Sequence, residues 1–244
     1  PREQLNHLNL YNGFKEDRSV FIVGASDHLK RAKKLLGNDT VAKLLNISKK
    51  YLSDILSRDL PVSLPCFIDL MTRAKLAVDH AEMRVKLKGS THTYPANFAI
   101  DSNFWRLIGV WVAEGDFEEY MVRIHNKHPE IRSDVKQICN QYHFNFSENE
   151  DGIFITSKLV KKIFQEILCL GTGAYAKKIP TCMFTLDKKS KANFLKGYFS
   201  GDGANYPKAD GKFGIESSTI SKTLANDLLY ILLDFGIIAT NYLV

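Results

Sequence analysis

The chain has 244 residues, of which 45% are hydrophobic and 25% charged, as in ordinary soluble globular proteins with room for one large or two modest domains. No run approaches the roughly 18 consecutive apolar residues of a membrane helix, and the polar N-terminus lacks a signal-peptide core, so we expect no membrane span and an intracellular protein. The formal net charge of +6 favours a polyanionic partner such as nucleic acid without requiring one.

The four cysteines form neither a CxxC pair nor a cluster with histidines. A zinc site and a disulfide framework are therefore not indicated, and we expect free thiols in a reducing interior. The residues are Cys66, Cys139, Cys169 and Cys182.

Three short helices are predicted in residues 28–58. Asp39 is a candidate N-cap for the second helix and Ser48 for the third, and Asn46 can take the left-handed turn between them. Apolar residues recur at helical spacing in both. The predicted helices are 28–36, 40–48 and 49–57.

The last two of these helices have the spacing of a helix-turn-helix at about residues 39–58. Such a motif would present Lys49, Lys50 and Ser53 to the major groove of DNA. A plain helical hairpin with solvated lysines fits the same pattern, so both interpretations stay open.

A further helix is predicted over 65–78 and is followed by a polar segment, 86–98, that contains Gly89 and Pro95. We interpret this segment as a linker. The chain would then consist of a mostly helical N-terminal domain, 1–88, and a second domain, 89–244.

In the second domain the order of predicted elements starts twice, which indicates an internal duplication. The first half covers about 100–172, and the second covers about 187–244 and stops before its last strand and final helix. The predicted helices are 102–114, 129–142, 158–170, 189–201 and 220–235, and the strands are 118–126, 144–148, 152–157, 212–218 and 237–244.

The first helix of each half carries the same short motif, LIGVWVAEGDF (107–117) and LKGYFSGDGAN (195–205). Small residues four apart lie on one helix face and let two helices approach closely. This face consists of Gly109 and Ala113 in the first motif, and of Gly197 and Gly201 in the second.

An acid follows each small-residue face directly, Glu114 in the first motif and Asp202 in the second. If the two faces pack together, the carboxylates emerge side by side, and such a pair repels unless a cation or proton lies between them. Hard oxygen ligands near a basic surface suit Mg²⁺, which engages phosphate oxygens. An acid and a glycine at one helix end are usually structural, but the recurrence with the same sequel argues for a shared site.

These paired motifs, together with the KKIP of GTGAYAKKIPTCMF (171–184), resemble the LAGLIDADG (dodecapeptide) homing endonucleases, in particular the archaeal intein-encoded members. The resemblance covers about 100–244 and implies an α+β fold. In this fold two αββαββα units are related by a pseudo-twofold axis, their strands form saddles over the DNA major groove, and a helix-turn-helix domain often precedes them.

The resemblance also implies the roles of individual residues. Glu114 and Asp202 would bind Mg²⁺ together with the backbone carbonyls of Ala113 and Gly201. Lys177 would be the active-site lysine near the scissile phosphate, where an ammonium can offset developing negative charge. Lys178 is the alternative match, and either lysine could simply be a solvated loop residue.

DNA contacts are predicted on the strand that follows the first motif. Arg123 and His125 alternate with apolar residues there, and Arg123 suits guanine acceptors. Candidate phosphate contacts, each of which could instead be ordinary surface charge, are Lys127, Lys158, Lys161, Lys212 and Lys222.

We therefore expect a monomeric, Mg²⁺-dependent homing endonuclease that hydrolyses a long double-stranded DNA site. The first residue is Pro1 and the last residues are NYLV, so we expect an endonuclease region without intein splicing ends, or a fragment. Nicking or binding alone stays open because the second half is short. A catalytically silent DNA-binding regulator and an RNA-splicing maturase on the same scaffold are the alternatives.

Overall fold

In a computed structural model of the chain, residues 5–207 and 213–242 are described. The chain divides into an N-terminal unit, His7–Ala99, and a C-terminal unit, Ile100–Val244 with the residues before His7. The division falls beyond the predicted boundary at residue 88 because residues 94–99 pair with strands of the N-terminal unit. Within the described residues, every helix is too short or too polar to traverse a bilayer.

The N-terminal unit combines helices with two antiparallel sheets and is less helical than predicted. A four-stranded sheet has the order β3-β2-β4-β5, and β1 pairs with β6. The elements are β1 (His7–Asn9), α1 (Leu10–Gly13), β2 (Val20–Val23), α2 (Ser26–Leu36), α3 (Asn38–Leu44), α4 (Lys49–Arg58), β3 (Val62–Ser63), α5 (Leu64–Arg73), β4 (Arg84–Leu87), β5 (Tyr94–Pro95) and β6 (Asn97–Ala99).

The segment predicted to be a linker contributes β5, β6 and the end of β4. Val85 and Leu87 of β4 are buried, whereas Arg84 and Lys86 form the polar half of the same strand. Most of the polar residues of this segment, 88–93, form the connection between β4 and β5, so the segment is a loop flanked by strands and not a linker between units.

The turn between α3 and α4 follows the prediction in two of three details. Asn46 has φ of 55°, and the hydroxyl of Ser48 caps α4 by accepting the N–H of Tyr51 at 3.1 Å. Asp39 is not an N-cap, because α3 already begins at Asn38 and its cap position is Gly37. The Asp39 carboxylate instead lies 2.7 Å from the ammonium of Lys49.

Two left-handed residues end the neighbouring helices. Asp59, with φ of 49°, ends α4, and its carboxylate accepts the N–H groups of Gly24 at 2.9 Å and Ser26 at 3.2 Å. This contact ties the end of α4 to the start of α2. The helix predicted over 65–78 ends at Arg73 because Lys75 turns to φ of 53°.

The C-terminal unit is an α+β structure in which helix, strand, strand and helix occur twice in the same order. The duplication follows the prediction, while the additional strand directly after each acid follows the resemblance and not the predicted elements. A four-stranded sheet has the order β7-β8-β10-β9, and β11 pairs with β12. The elements are α6 (Ser102–Glu114), β7 (Gly115–Phe117), β8 (Val122–Ile124), α7 (Pro129–Gln141), β9 (Phe146–Glu148), β10 (Ile153–Ile155), α8 (Lys158–Lys162), α9 (Lys188–Asp202), β11 (Ala204–Pro207), β12 (Phe213–Glu216) and α10 (Lys222–Leu233).

Three strand and helix predictions differ from the structure. The strand predicted over 118–126 is shorter, and β7 precedes it immediately after the first acid. The helix after β10 changes at Ile163–Ile167 into a π-helical turn. The strand predicted over 237–244 is absent from residues 237–242, and its last two residues lie outside the described part of the chain.

The core of this unit lies around α6 and α9. Most of the large apolar side chains on these helices are almost completely buried. Aromatic pairs extend the core toward the turn after α8, as between Trp111 and Phe164. The buried aromatic residues of the two helices are Phe104, Trp105, Trp111, Phe194 and Tyr198.

Candidate functional site

The helices α6 and α9 pack through the glycines that the two motifs share. A Cβ added to Gly109 would lie 2.1 Å from the carbonyl oxygen of Phe194, three residues before Gly197. A Cβ added to Gly197 would lie 2.2 Å from the carbonyl oxygen of Arg106, three residues before Gly109. This reciprocity means that a pseudo-twofold axis passes between the two glycines, and that the helices touch backbone to backbone.

The two acids are the last residues of these helices. Glu114 ends α6 and Asp202 ends α9, and each is followed by an extended glycine that leads directly into a strand. A Cβ added to Gly201 would lie 2.8 Å from Cγ of Glu114 and 2.8 Å from Cβ of Ala113. The side chain of Glu114 therefore packs against the backbone next to Asp202.

The electrostatics of the acids show that they share one partly buried environment. Burial, and then the charge of Glu114, raises the pKa of Asp202 to about 6, while the ammonium of Lys177 opposes this shift. Burial also raises the pKa of Glu114, again opposed mainly by Lys177. Two carboxylates are thus held where their negative charge is incompletely compensated.

Lys177 reaches the same place from the segment between the two halves. Its ammonium donates a hydrogen bond to the carbonyl oxygen of Ala113 at 2.9 Å and lies 5.7 Å from the centre of the Trp111 ring. Burial lowers the pKa of Lys177, and the charges of Asp202 and Glu114 oppose this shift. Of the two lysines in KKIP, Lys177 is therefore the one that approaches the acids.

The donor set can accommodate a hard divalent cation if other oxygens complete it. Among the described residues, no three side chains of His, Cys, Asp or Glu come together as a metal site, so the protein offers the carboxylates of Glu114 and Asp202. Mg²⁺ is commonly bound by one or two carboxylates with waters and substrate phosphates. One lone pair of the Ala113 carbonyl is already taken by Lys177, and the carbonyl has a second.

A cleft beside Glu114 is lined by the loop that follows β8. Asn126 is 6% exposed, and its amide donates to Glu114 Oε1 at 3.4 Å. Its carbonyl oxygen accepts the N–H of His128 at 2.8 Å, which orients the amide toward the acid. The lining residues are Glu114, His125, Asn126, Lys127, His128 and Asp151.

Arg123 lies on the solvent-facing side of the sheet but is bound to acids. It stands directly opposite Asp116 in the pairing of β7 with β8, and its Nε donates to Asp116 Oδ1 at 2.7 Å. A second ion pair joins it to Glu118, and His125 Nε2 lies 3.4 Å from Asp116 Oδ1. The hydrogen bond from Arg123 lowers the pKa of Asp116, so contact with a base would require Arg123 to exchange partners.

The remaining candidate DNA contacts occupy varied environments. Lys127 is exposed beside the cleft and Lys222 is exposed at the start of α10, whereas Lys161 donates to the Glu118 carbonyl at 2.7 Å. Lys158 lies 3.8 Å from the ring centre of Tyr120. Lys212 lies outside the described residues.

In the N-terminal unit the predicted recognition residues share the outer face of α4. The side chains of Lys49, Lys50 and Ser53 are exposed, while Leu52 and Ile55 face the core. Lys49 is paired with Asp39.

Several residues of the site carry no signal in the sequence. Asp116 and Asn126 are ordinary polar residues of a strand and a loop until the hairpin brings them to Arg123 and Glu114. The GDF sequel to the first acid is the one usable hint, since it places a second carboxylate two residues beyond Glu114.

Comparison with known proteins adds a family and several relatives. A sequence model of the LAGLIDADG-like domain matches residues 189–244. An uncharacterized protein of Methanocaldococcus jannaschii is 30% identical over 94% of this chain and 28% of its own length. The DNA polymerase II large subunit and a DNA polymerase of Thermococcus kodakarensis are each 29% identical, over 54% and 57% of this chain but only 8% and 9% of their own lengths. The chain thus spans less than a third of the first relative and less than a tenth of the polymerases.

Proposed function

The chain contains a LAGLIDADG-like domain, and from that premise we propose that it is a homing endonuclease that hydrolyses phosphodiester bonds of a long, specific double-stranded DNA site with Mg²⁺. The observation that carries the proposal is the convergence of Glu114, Asp202 and Lys177 at the end of the α6–α9 pair. Small stretches of large DNA polymerases match this chain, as expected if it derives from a segment inserted in a host protein.

In the proposed reaction Glu114 and Asp202 would hold the cation, with the carbonyls of Ala113 and Gly201 as further ligands. Bound Mg²⁺ would neutralise charge on the phosphate oxygens and lower the pKa of a coordinated water. Lys177 would donate hydrogen bonds to the phosphate as negative charge develops. Because one chain supplies both acids, a monomer suffices.

Binding of the duplex is assigned to the four-stranded sheet and the loop that follows β8. Arg123 and His125 would face base edges, and Lys127 would contact a backbone phosphate beside Glu114. Lys212 is proposed as the corresponding contact of the second half. The formal net charge of +6 on the chain favours a phosphodiester substrate over a neutral one.

A decisive test is incubation of the protein with a genomic DNA library in Mg²⁺, followed by sequencing of the cut ends. We expect ends that cluster at one long sequence, on both strands, and that disappear in excess EDTA. Specific binding without cut ends would support the silent regulator instead, and preferential binding of structured RNA would support the maturase.

The N-terminal unit is proposed to add DNA contacts through a helix-turn-helix formed by α3 and α4. Replacing exposed Lys50 by Ala is expected to weaken duplex binding and to reduce the slope of log Kd against log salt by about 1, as for one lost phosphate contact. Kd measured from 50 to 200 mM salt provides the readout.

Lys88→Ala is the matched control, because it removes the same charge from an exposed residue of the same unit, beyond β4. Equal effects of the two substitutions would mean that Lys50 acts only through net charge, and the helix-turn-helix proposal would then be abandoned.

A further inference from the structure

The segment that carries Lys177 has little regular structure, yet its lysine must reach a fixed point. Between the turn after α8 and the start of α9 it contains only two short 3₁₀ turns, Ala174–Ala176 and Thr181–Thr185. Lys177 stands just beyond the first turn with an extended backbone. A polar group on a segment of this kind needs external hydrogen bonds to hold one position.

The first such bond comes from the start of α10. Ser221 is 1% exposed, and its hydroxyl donates to the carbonyl oxygen of Lys177 at 2.6 Å. Oγ of Ser221 also accepts the N–H of Leu224 at 3.2 Å, which makes Ser221 the N-cap of α10. One hydroxyl therefore uses its proton on the lysine backbone and a lone pair on the helix.

The second bond comes from the next turns of the same helix. The carboxylate of Asp227 accepts the N–H of Ile179 at 3.2 Å, and the side chain of Ile179 is buried. Between these two bonds, the N–H of Lys178 donates to the carbonyl of Leu170 at 3.2 Å. Two consecutive peptide units at the lysine are thus held: the 177–178 unit at both its C=O and its N–H, and the 178–179 unit at its N–H. Two of these three bonds come from the N-cap residue and a side chain of α10.

We propose that Ser221 and Asp227 are positioning residues that clamp the backbone of Lys177, so that its ammonium stays beside Glu114 and Asp202. The inference rests on the proposed function for its catalytic consequence, but the clamp itself does not. Both halves would then contribute to the active site, because α10 of the second half holds Lys177 where its ammonium reaches the Ala113 carbonyl of the first half.

Two substitutions of Ser221, by Asn and by Asp, are nearly isosteric with each other and distinguish the hydrogen bond to Lys177 from the capping of α10. In Ser221→Asn the carbonyl oxygen can cap α10 and the amide can still donate to Lys177. In Ser221→Asp the carboxylate caps α10 equally well, but at pH 8 it has no proton to donate. Asp227→Asn and Asp227→Leu form a second pair, in which only Asn keeps an acceptor for the N–H of Ile179.

Amide hydrogen exchange of residues 174–182 measures the clamp without reference to activity. We expect Ser221→Asn and Asp227→Asn to resemble the wild type, and Ser221→Asp and Asp227→Leu to exchange at least about tenfold faster in this segment. Ser157→Ala is the control, since Ser157 caps α8 through the N–H of Val160 at 3.3 Å and should leave the segment unchanged.

Single-turnover cleavage at saturating DNA then measures the consequence. We expect Ser221→Asp to cut at least about tenfold more slowly than Ser221→Asn, and Asp227→Leu at least about tenfold more slowly than Asp227→Asn. The Kd for DNA should be unchanged in all four variants. Equal exchange within each pair would overturn the clamp. Faster exchange with equal cleavage would overturn its role in positioning Lys177. A wild type that cuts no DNA would refute the proposed function, while the exchange data would still decide the clamp.

Discussion

Replacing Glu114 by Gln together with Asp202 by Asn is expected to abolish Mg²⁺-dependent cleavage, with a loss of at least about 10³-fold in the single-turnover rate. The amides keep the size of the acids but cannot replace their charge, and the described residues supply no third acidic or imidazole ligand at this point. Binding of the duplex in EDTA should not weaken, because the substitution removes two negative charges from the vicinity of the phosphates.

Two measurements separate this loss from unfolding or from a general charge effect. The pKa of Asp202 is raised to about 6, so at pH 8 its charge opposes folding; Asp202→Asn alone should therefore unfold at an equal or higher temperature in EDTA. Asp151→Asn removes an exposed carboxylate from the cleft beside Glu114 and should cut normally. Retained cleavage in the double variant would exclude the two-acid centre.

The parts of the site that the sequence predicts are those encoded by local spacing. Gly109 and Gly197 lie four residues before the second small residue of their helices, and an acid follows at once, so a pattern within one turn specifies the interface. In the structure both glycines lie against a backbone carbonyl of the other helix. The cap at Ser48 is likewise local and is confirmed.

What could not be predicted depends on contacts between distant segments. The pairing of Arg123 with Asp116 follows from the register of β7 with β8, and a strand of three residues is too short to show an alternation in sequence. The bond from Ser221 to Lys177 joins residues from separate elements. The role of Ser221 as N-cap can be predicted from the residues at the start of α10. Its hydrogen bond to the carbonyl of Lys177 cannot be predicted in this way.

The sheet of the N-terminal unit was missed for a different physical reason. β2 is a short apolar run of four residues, which periodicity cannot distinguish from part of a helix, and β4 carries charges on its outer face. Only the pairing of these strands, Val20 opposite Leu87, shows which of their residues are inside.

Substituting Ala for Gly197 is expected to destabilise the C-terminal unit by about 3 kcal/mol or more, at the upper end of overpacking effects. In an isolated helix the same change would stabilise by about 1 kcal/mol, so the expected sign is opposite to that of intrinsic propensity. The added Cβ would lie 2.2 Å from the carbonyl oxygen of Arg106. Gly109→Ala should behave alike, through its contact with Phe194.

Denaturant unfolding measures the change in the free energy of unfolding, and two further variants serve as comparisons for its size. Lys196→Ala adds helix propensity one position earlier on the exposed face and should be neutral or slightly stabilising. Gly201→Ala would meet side chains at 2.8 Å instead of a carbonyl, so a smaller loss is expected. Stabilisation by Gly197→Ala would contradict close packing of α6 on α9.

The geometry couples this loss of stability to the acids. The backbone carbonyl that the new Cβ meets cannot rotate away without breaking its helix, so relief requires the helices to separate. Separation moves Glu114 away from Asp202, because each acid is rigidly attached to the end of its helix. At a temperature where Gly197→Ala is still folded, its cleavage should therefore fall further than that of a comparably destabilised variant such as Ile138→Ala, a core substitution in α7.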